Sequence, residues 1–143
     1  MFAVVLGPDF AGKSSALAVL RGFRVVSTDR RFVAARHDVV SQLRRAVSGV
    51  DDNYSPDFLA ALLQTAVVHL RDEVVRAAEP VVVDSYYYKI LAKCRLAGVG
   101  DNPMFDWWRS FPQPARVIYL TVSAASAWRR CGRGTKLNPL EFH

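Results

Sequence analysis

The sequence lacks the features of a membrane protein and of a disulfide-stabilised scaffold. No apolar run approaches the roughly 20 residues of a membrane-spanning helix. The N-terminus has no basic segment, and Gly-Pro-Asp interrupts its apolar stretch from residue 7, so we expect no signal peptide. The two cysteines, Cys94 and Cys131, have no metal-ligand spacing, and we expect no disulfide framework. This usage favours a reducing, cytoplasmic location.

Other absences narrow the choice of partners. The net charge is +6, yet no basic stretch alternates with aromatic residues as in a nucleic-acid-binding module. The charge instead suits a protein that handles polyphosphate. No repeat or linker divides the 143 residues, of which 51% are hydrophobic and 22% charged. We therefore predict one domain, 1–143, with a real core and with neither membrane nor nucleic-acid partners.

Near the N-terminus the sequence contains the pattern of a phosphate-binding loop. Gly7-Pro-Asp-Phe-Ala-Gly-Lys-Ser14 has the Walker A pattern of two glycines, a lysine and a hydroxyl residue. Its N–H groups can surround phosphate oxygens. Lys13 is expected to reach the β- and γ-phosphates, and Ser14 to ligate Mg²⁺. The residues predicted to bind ATP are Gly7, Phe10, Ala11, Gly12, Lys13, Ser14 and Ser15. The alternative is an ordinary strand–turn–helix connection with incidental glycines.

Apolar strand patterns alternate with helical patterns along the chain. Strands are predicted at 2–6, 24–27, 81–84 and 116–121, and helices at 15–21, 38–47, 55–79, 86–97, from 102 onward and at 123–131. The strands lack polar alternation, which indicates an α/β fold whose parallel sheet is buried on both faces by helices. Ligands bind such sheets at the carboxyl ends of the strands.

Two carboxylates lie at that edge of the predicted sheet. Asp84 ends a run of three valines, as a Walker B carboxylate does, and is predicted to hold Mg²⁺ directly or through water. The alternative role for Asp84 is a turn residue or helix cap. Asp9 lies inside the loop, where bound phosphates would repel it. We predict that Asp9 points toward a substrate hydroxyl, with stabilisation of the local turn as the alternative.

Arginines and tyrosines supply further candidates. Arg129, Arg130 and Arg133 cluster at the end of the last predicted helix, beside glycines. This pattern is typical of a mobile lid that brings positive charge onto a transferring phosphoryl group, so we predict catalytic roles for Arg129 and Arg133. A solvated basic helix end is the alternative. Tyr86 and Tyr87 follow Asp84 closely and are predicted to contact substrate, with core packing as the alternative.

Together these motifs resemble those of thymidylate kinases and related P-loop nucleoside and nucleotide kinases. The shared features are Gly-x-Asp-x-x-Gly-Lys-Ser, a long helix, Val-Val-Val-Asp84 before Ser-Tyr-Tyr-Tyr, and the stretch from Arg133 to Glu141. The resemblance implies a three-layer P-loop kinase fold with a parallel sheet in the order 2-3-1-4. It also implies Mg·ATP as donor and a small-molecule phosphate acceptor, whose sugar hydroxyl Asp9 would touch.

The chain differs from the family pattern in three places. The family's Asp-Arg-Tyr is Asp84-Ser85-Tyr86 here, so serine replaces an arginine that helps to bind acceptor phosphate. The arginine of the family's long helix is replaced within 67–69. Arg36 or Arg71 is a candidate for its role, and we predict Arg36 as substrate-binding. The family continues past the equivalent of His143 with another strand and helix, so the last family strand is expected to be missing.

The predicted function is therefore transfer of the ATP γ-phosphoryl group to a nucleotide, nucleoside or similar acceptor. The alternative is a nucleotide-binding module without efficient catalysis. Without a last strand, the sheet would have an exposed edge able to pair with a partner protein or with a second copy in a homodimer. A GTPase is disfavoured, because the sequence has no Asn-Lys-x-Asp guanine motif.

Overall fold

The computed structural model of the chain describes residues 1–27 and 55–131. Strands and helices alternate along these residues, as the sequence predicts. The elements are β1 (Phe2–Leu6), α1 (Lys13–Val19), β2 (Arg24–Val26), α2 (Pro56–Arg76), β3 (Val81–Asp84), α3 (Tyr86–Leu96), α4 (Pro103–Arg109), β4 (Arg116–Tyr119) and α5 (Ala124–Cys131). The predicted helix at 38–47 lies outside the described residues.

The four strands form one parallel sheet in the order β2-β3-β1-β4. This order confirms the expected fold. Strand β1 pairs with β3 on one side and β4 on the other, and Val5 lies opposite Asp84. The carboxyl end of β1, where the phosphate-binding loop begins, is therefore next to the carboxyl end of β3, where Asp84 lies.

The core has two parts because alternate strand residues point to opposite faces of the sheet. On one face Val4 and Val83 are both fully buried and belong to a large cluster with residues of α2, α3 and α4. On the other face Val5 and Val82 pack with Leu17 of α1. The sheet therefore lies between two helical layers, which is the predicted three-layer arrangement.

Two helices begin where their capping residues predict. The Ser55 hydroxyl accepts a hydrogen bond from the Phe58 N–H at 3.1 Å, and Pro56 occupies the first turn of α2. Asn102 caps α4 in the same way, accepting from the Met104 N–H at 3.0 Å. Such caps bond N–H groups that have no partner within the helix. Helix α2 ends at Arg76, four residues before Pro80.

Strand β4 differs from its prediction as a buried strand. All four of its residues are exposed, with Val117, Ile118 and Tyr119 at 51%, 50% and 62%. Its apolar composition identified it correctly as a strand, and among the described strands it lies at one end of the sheet order. An edge strand has a neighbour on one side only, and the described helices cover β1 and β3 more fully than β4.

The tryptophans of α4 confirm the expectation that at least one packs on the core. Trp108 is fully buried, whereas Trp107 is 42% exposed. Among the described residues, no helix is both long enough and apolar enough to cross a membrane.

Candidate active site

The phosphate-binding loop connects β1 to α1 and folds around its own lysine. Lys13 is the first residue of α1 and is only 7% exposed. Its ammonium donates hydrogen bonds to the carbonyl oxygens of Gly7 at 2.9 Å and Pro8 at 2.8 Å. The loop therefore holds a positive charge at its centre, as the Walker A pattern predicts. Ser14 is half-buried in the first turn of α1, and Ser15 is exposed.

The surroundings of Lys13 lower its pKa. Burial is the largest cause, followed by the positive charge of Lys89, while the carboxylates of Asp84 and Asp9 act in the opposite direction. Burial disfavours the charged form of an amine because it removes water from the ammonium group. The Lys13 ammonium is thus largely shielded from water and lies close to the carboxylates of Asp84 and Asp9.

Asp84 lies at the end of β3 and is held by two hydroxyl groups. The Ser27 hydroxyl donates to Asp84 Oδ2 at 3.0 Å, and the Ser85 hydroxyl donates to Asp84 Oδ1 at 2.8 Å. Because Asp84 is opposite Val5 in the sheet, its carboxylate is close to the start of the loop. The fold thus brings Lys13 and Asp84 close together at the carboxyl end of the sheet.

This donor set fits Mg²⁺ bound together with a nucleotide. Magnesium is usually held by one or two carboxylates together with phosphate oxygens and water, not by a cage of protein ligands. Within residues 1–27 and 55–131, no group of three or more His, Cys, Asp or Glu side chains could hold a metal ion by itself. The Asp84 carboxylate and the Ser14 hydroxyl are hard oxygen donors of the kind that such a shared site uses.

Asp9 is bound by two lysines that the sequence reasoning did not select. Lys89 donates to Asp9 Oδ1, and Lys93 donates to Asp9 Oδ2 at 3.1 Å. Burial acts to raise the pKa of Asp9, but the charges and hydrogen bonds of Lys89 and Lys93 together lower it below its ordinary 3.8. The carboxylate is therefore ionised and paired with α3. The signal for this pair was present: two of the chain's four lysines lie one helical turn apart after Asp84.

The arginine that contacts the phosphate-binding loop is Arg130, which lies beside Arg129, one of the two arginines predicted to be catalytic. Arg130, in the last turn of α5, donates to the Phe10 carbonyl oxygen at 3.0 Å. Arg129 instead donates to the Ser126 hydroxyl on its own helix at 3.2 Å. Arg130 belongs to the cluster noticed in the sequence, but sequence alone does not show which face of α5 meets the loop. Arg133 and Arg36 lie outside the described residues.

Tyr86 and Tyr87 lie in the core and not at a substrate mouth. Their exposed fractions are 0% and 4%, and the Tyr86 ring packs edge-on against Phe2 with centroids 5.4 Å apart. Burial raises the pKa of Tyr86 to about 12. The Tyr87 hydroxyl donates to Gln113 at 3.2 Å. The structure supports the core-packing alternative for both, because a covered ring offers no face to a ligand.

The fold matches that of a known nucleotide kinase. Thymidylate kinase from Candida albicans superposes with a TM-score of 0.63 over 93% of this chain and 68% of that chain, at 18% sequence identity. That enzyme is described as having broad substrate specificity and a novel structural element. No protein-family model and no curated protein sequence matches the chain. The resemblance that the motifs indicated is thus confirmed at the level of the fold.

Proposed function

We propose that the chain is an ATP-dependent phosphotransferase of the thymidylate kinase-like type. The observation that supports this most strongly is the convergence of Lys13 and Asp84 at the carboxyl edge of the sheet. Burial lowers the pKa of the Lys13 ammonium, and the charge of Asp84 is close enough to offset part of that lowering. A buried cation beside a carboxylate, within a Walker A loop, is the arrangement that holds a nucleotide polyphosphate and its metal ion.

On the donor side, Lys13 and the loop would bind the ATP phosphates. The ammonium now bonded to the Gly7 and Pro8 carbonyls would transfer its hydrogen bonds to β- and γ-phosphate oxygens. The Ser14 hydroxyl and the Asp84 carboxylate would hold Mg²⁺, which neutralises phosphate charge when bound. Phe10, Ala11, Gly12 and Ser15 complete the proposed cradle.

The positive charge of arginines on α5 would act on the γ-phosphoryl group during its transfer. Arg130 already reaches the Phe10 carbonyl from α5, so a short movement of its flexible side chain could place its guanidinium on phosphate oxygens. Positive charge placed there stabilises the charge that develops during transfer. Arg129 and Arg133 remain proposed contributors in the same segment.

The lysine pair explains how a carboxylate can lie inside a phosphate-binding loop. Because Lys89 and Lys93 neutralise Asp9, bound phosphates would not face an uncompensated negative charge. The carboxylate oxygens retain further acceptor positions, since each oxygen can accept two hydrogen bonds. Asp9 can thus still accept a bond from an acceptor hydroxyl, and we propose Arg36 as a further contact for the acceptor.

Phosphotransfer from radiolabelled ATP tests the proposal. The folded chain is incubated with ATP, Mg²⁺ and a panel of nucleosides and nucleoside monophosphates, and the products are separated by chromatography. We expect label to appear on at least one acceptor, and Lys13→Ala to abolish that transfer. Absence of transfer to every acceptor, from a chain that still binds ATP, would contradict kinase activity.

ATP binding without transfer to any acceptor is the result expected of the second candidate function. This candidate is a nucleotide-binding module that acts through a partner. The exposed apolar side chains of β4 favour it, because β4 ends the sheet among the described strands and such a strand can pair with another chain. A second copy of this chain, forming a homodimer, is one such partner. Nucleotide binding without turnover, together with association that Ile118→Lys prevents, would support this candidate.

A further inference from the structure

The carboxylate of Asp84 accepts hydrogen bonds from two serines, to which the sequence motifs assign no role. One hydroxyl comes from Ser27, directly after β2, and the other from Ser85, the residue after Asp84 itself. Each bonds a different carboxylate oxygen, so together they fix the rotation of the carboxylate plane. Both serines are buried, with exposed fractions of 4% and 7%.

The backbone at Ser85 is unusual for serine. Ser85 has a φ of +66° and Tyr86 a φ of +46°, so two consecutive residues without glycine adopt left-handed conformations. Glycine adopts this region more easily than any other residue, and strained positions of this kind cluster at functional sites. Glycine, however, has no hydroxyl group. What serine adds at this position is the hydrogen bond to Asp84.

Two other contacts hold the strained turn in place. The Ser85 N–H donates to the Val5 carbonyl oxygen at 2.9 Å, which continues the β1–β3 pairing by one residue. The ring of Tyr86 is fully buried against Phe2. The turn therefore cannot relax without breaking this backbone hydrogen bond or exposing an aromatic ring, and the Ser85 hydroxyl stays directed at the carboxylate.

From this geometry we infer that Ser27 and Ser85 are positioning residues that preorganise Asp84 for Mg²⁺ in complex with nucleotide. The inference rests on the metal-binding part of the proposed function and not on phosphotransfer. Hydrogen-bond donors to a ligating carboxylate orient it and tune its metal affinity, and their removal typically reduces that affinity by about 10- to 100-fold. Each Asp84 oxygen keeps an acceptor position for the ion or its water.

The test measures how strongly Mg²⁺ tightens ATP binding. Isothermal titration calorimetry gives the ATP dissociation constant in EDTA and in excess Mg²⁺, for wild type, Ser27→Ala and Ser85→Gly. We expect each variant to lose about tenfold of the Mg²⁺-linked gain in affinity. Affinity for ATP in EDTA should stay within about twofold of wild type, since the phosphate contacts of the loop are intact.

Two further measurements separate positioning from a structural role. The urea midpoint of Ser85→Gly should equal or exceed that of wild type, because glycine relieves the left-handed strain while the metal site weakens. Ser27→Thr keeps the hydroxyl and should retain the wild-type Mg²⁺ dependence. Ser110→Ala is the matched control, since this exposed serine donates to the Trp107 carbonyl and does not contact Asp84.

The inference is overturned if both folded variants keep the wild-type Mg²⁺ dependence. It is also overturned if wild type binds ATP equally well in EDTA and in Mg²⁺, or does not bind ATP. If one variant does not fold, the other decides. Loss of Mg²⁺ coupling in the variants of a protein that transfers no phosphate would sustain the inference and refute the kinase proposal, so the two failures are distinguishable.

Discussion

Replacing Gly7 by alanine tests how closely the phosphate-binding loop approaches the end of β4. Gly7 has a φ of +148°, which residues with a side chain rarely adopt. A Cβ atom there would lie 2.5 Å from the Leu120 carbonyl oxygen. That oxygen cannot move away easily, because the Leu120 N–H is bonded to the Leu6 carbonyl at 2.9 Å. The substitution therefore adds both backbone strain and a clash with backbone.

The expected loss of stability is large for a single methyl group. Backbone strain at a disfavoured φ costs about 1–3 kcal/mol, and overpacking against fixed atoms costs about 1–3 kcal/mol. Gly7→Ala should thus lower the free energy of unfolding by about 2–6 kcal/mol, a sizeable part of the roughly 5–15 kcal/mol that stabilises a typical domain. Urea unfolding followed by circular dichroism measures the change.

Gly98→Ala is the matched control for this experiment. Gly98 also has a positive φ, +86°, but a Cβ atom there meets nothing within 4 Å. Its substitution should lower the free energy of unfolding only through backbone strain, by about 1–3 kcal/mol. If Gly7→Ala destabilises the protein no more than Gly98→Ala does, the close approach between the loop and β4 is not a real constraint and the reasoning is refuted.

Three further predictions concern the loop, its lysine pair and a helix cap. The pKa of Asp9 is lowered in the folded state, so its ion pairs stabilise the fold above about pH 4 and are lost as the pH falls through the folded pKa. Asp9→Asn should therefore lose less stability than wild type on acidification below about pH 4, and equal acid sensitivity in urea titrations would contradict this. Arg130→Ala should weaken ATP binding more than Arg129→Ala in calorimetry, because of these two described arginines it is Arg130 that donates a hydrogen bond to the loop; equal effects would argue against it. Ser55→Ala should lower the free energy of unfolding by about 1 kcal/mol through loss of the α2 cap, and an unchanged urea midpoint would exclude that contribution.

Local patterns were sufficient for the described elements and for placing Lys13 and Asp84 near the same edge of the sheet. Valine-rich runs identified the strands, and Ser55-Pro56 and Asn102-Pro103 marked the starts of α2 and α4 because capping depends only on adjacent residues. Lys13 and Asp84 were found because each follows a strand in a fixed motif. In a parallel sheet all strand ends of one kind lie at the same edge, so such residues converge.

Partners that are distant in sequence could not be predicted in the same way. Asp9 and its lysines are separated by 80 and 84 positions, and Arg130 and Phe10 by 120. Which lysine or arginine reaches the loop depends on the rotation of α3 and α5 about their axes, which the packing of those helices sets.

Burial was the other property that local pattern did not decide. Three tyrosines after a strand end are compatible with a ligand site or with a core, and it is the packing of α3 with α2 and the sheet that covers Tyr86 and Tyr87. Conversely, β4 has the composition of a buried strand, but its side chains are exposed because the described helices pack mainly against the other strands of the sheet.

The sequence by itself therefore determined the phosphate-binding loop, the strand that carries Asp84 and the alternation that makes a parallel sheet, because these depend on residues close together in the chain. Only the tertiary structure decided which charges meet around the loop, which aromatic rings are covered, and that Ser27 and Ser85 hold Asp84 from two sides. Those contacts depend on how separate strands and helices are placed against one another, and no short segment of sequence contains that information.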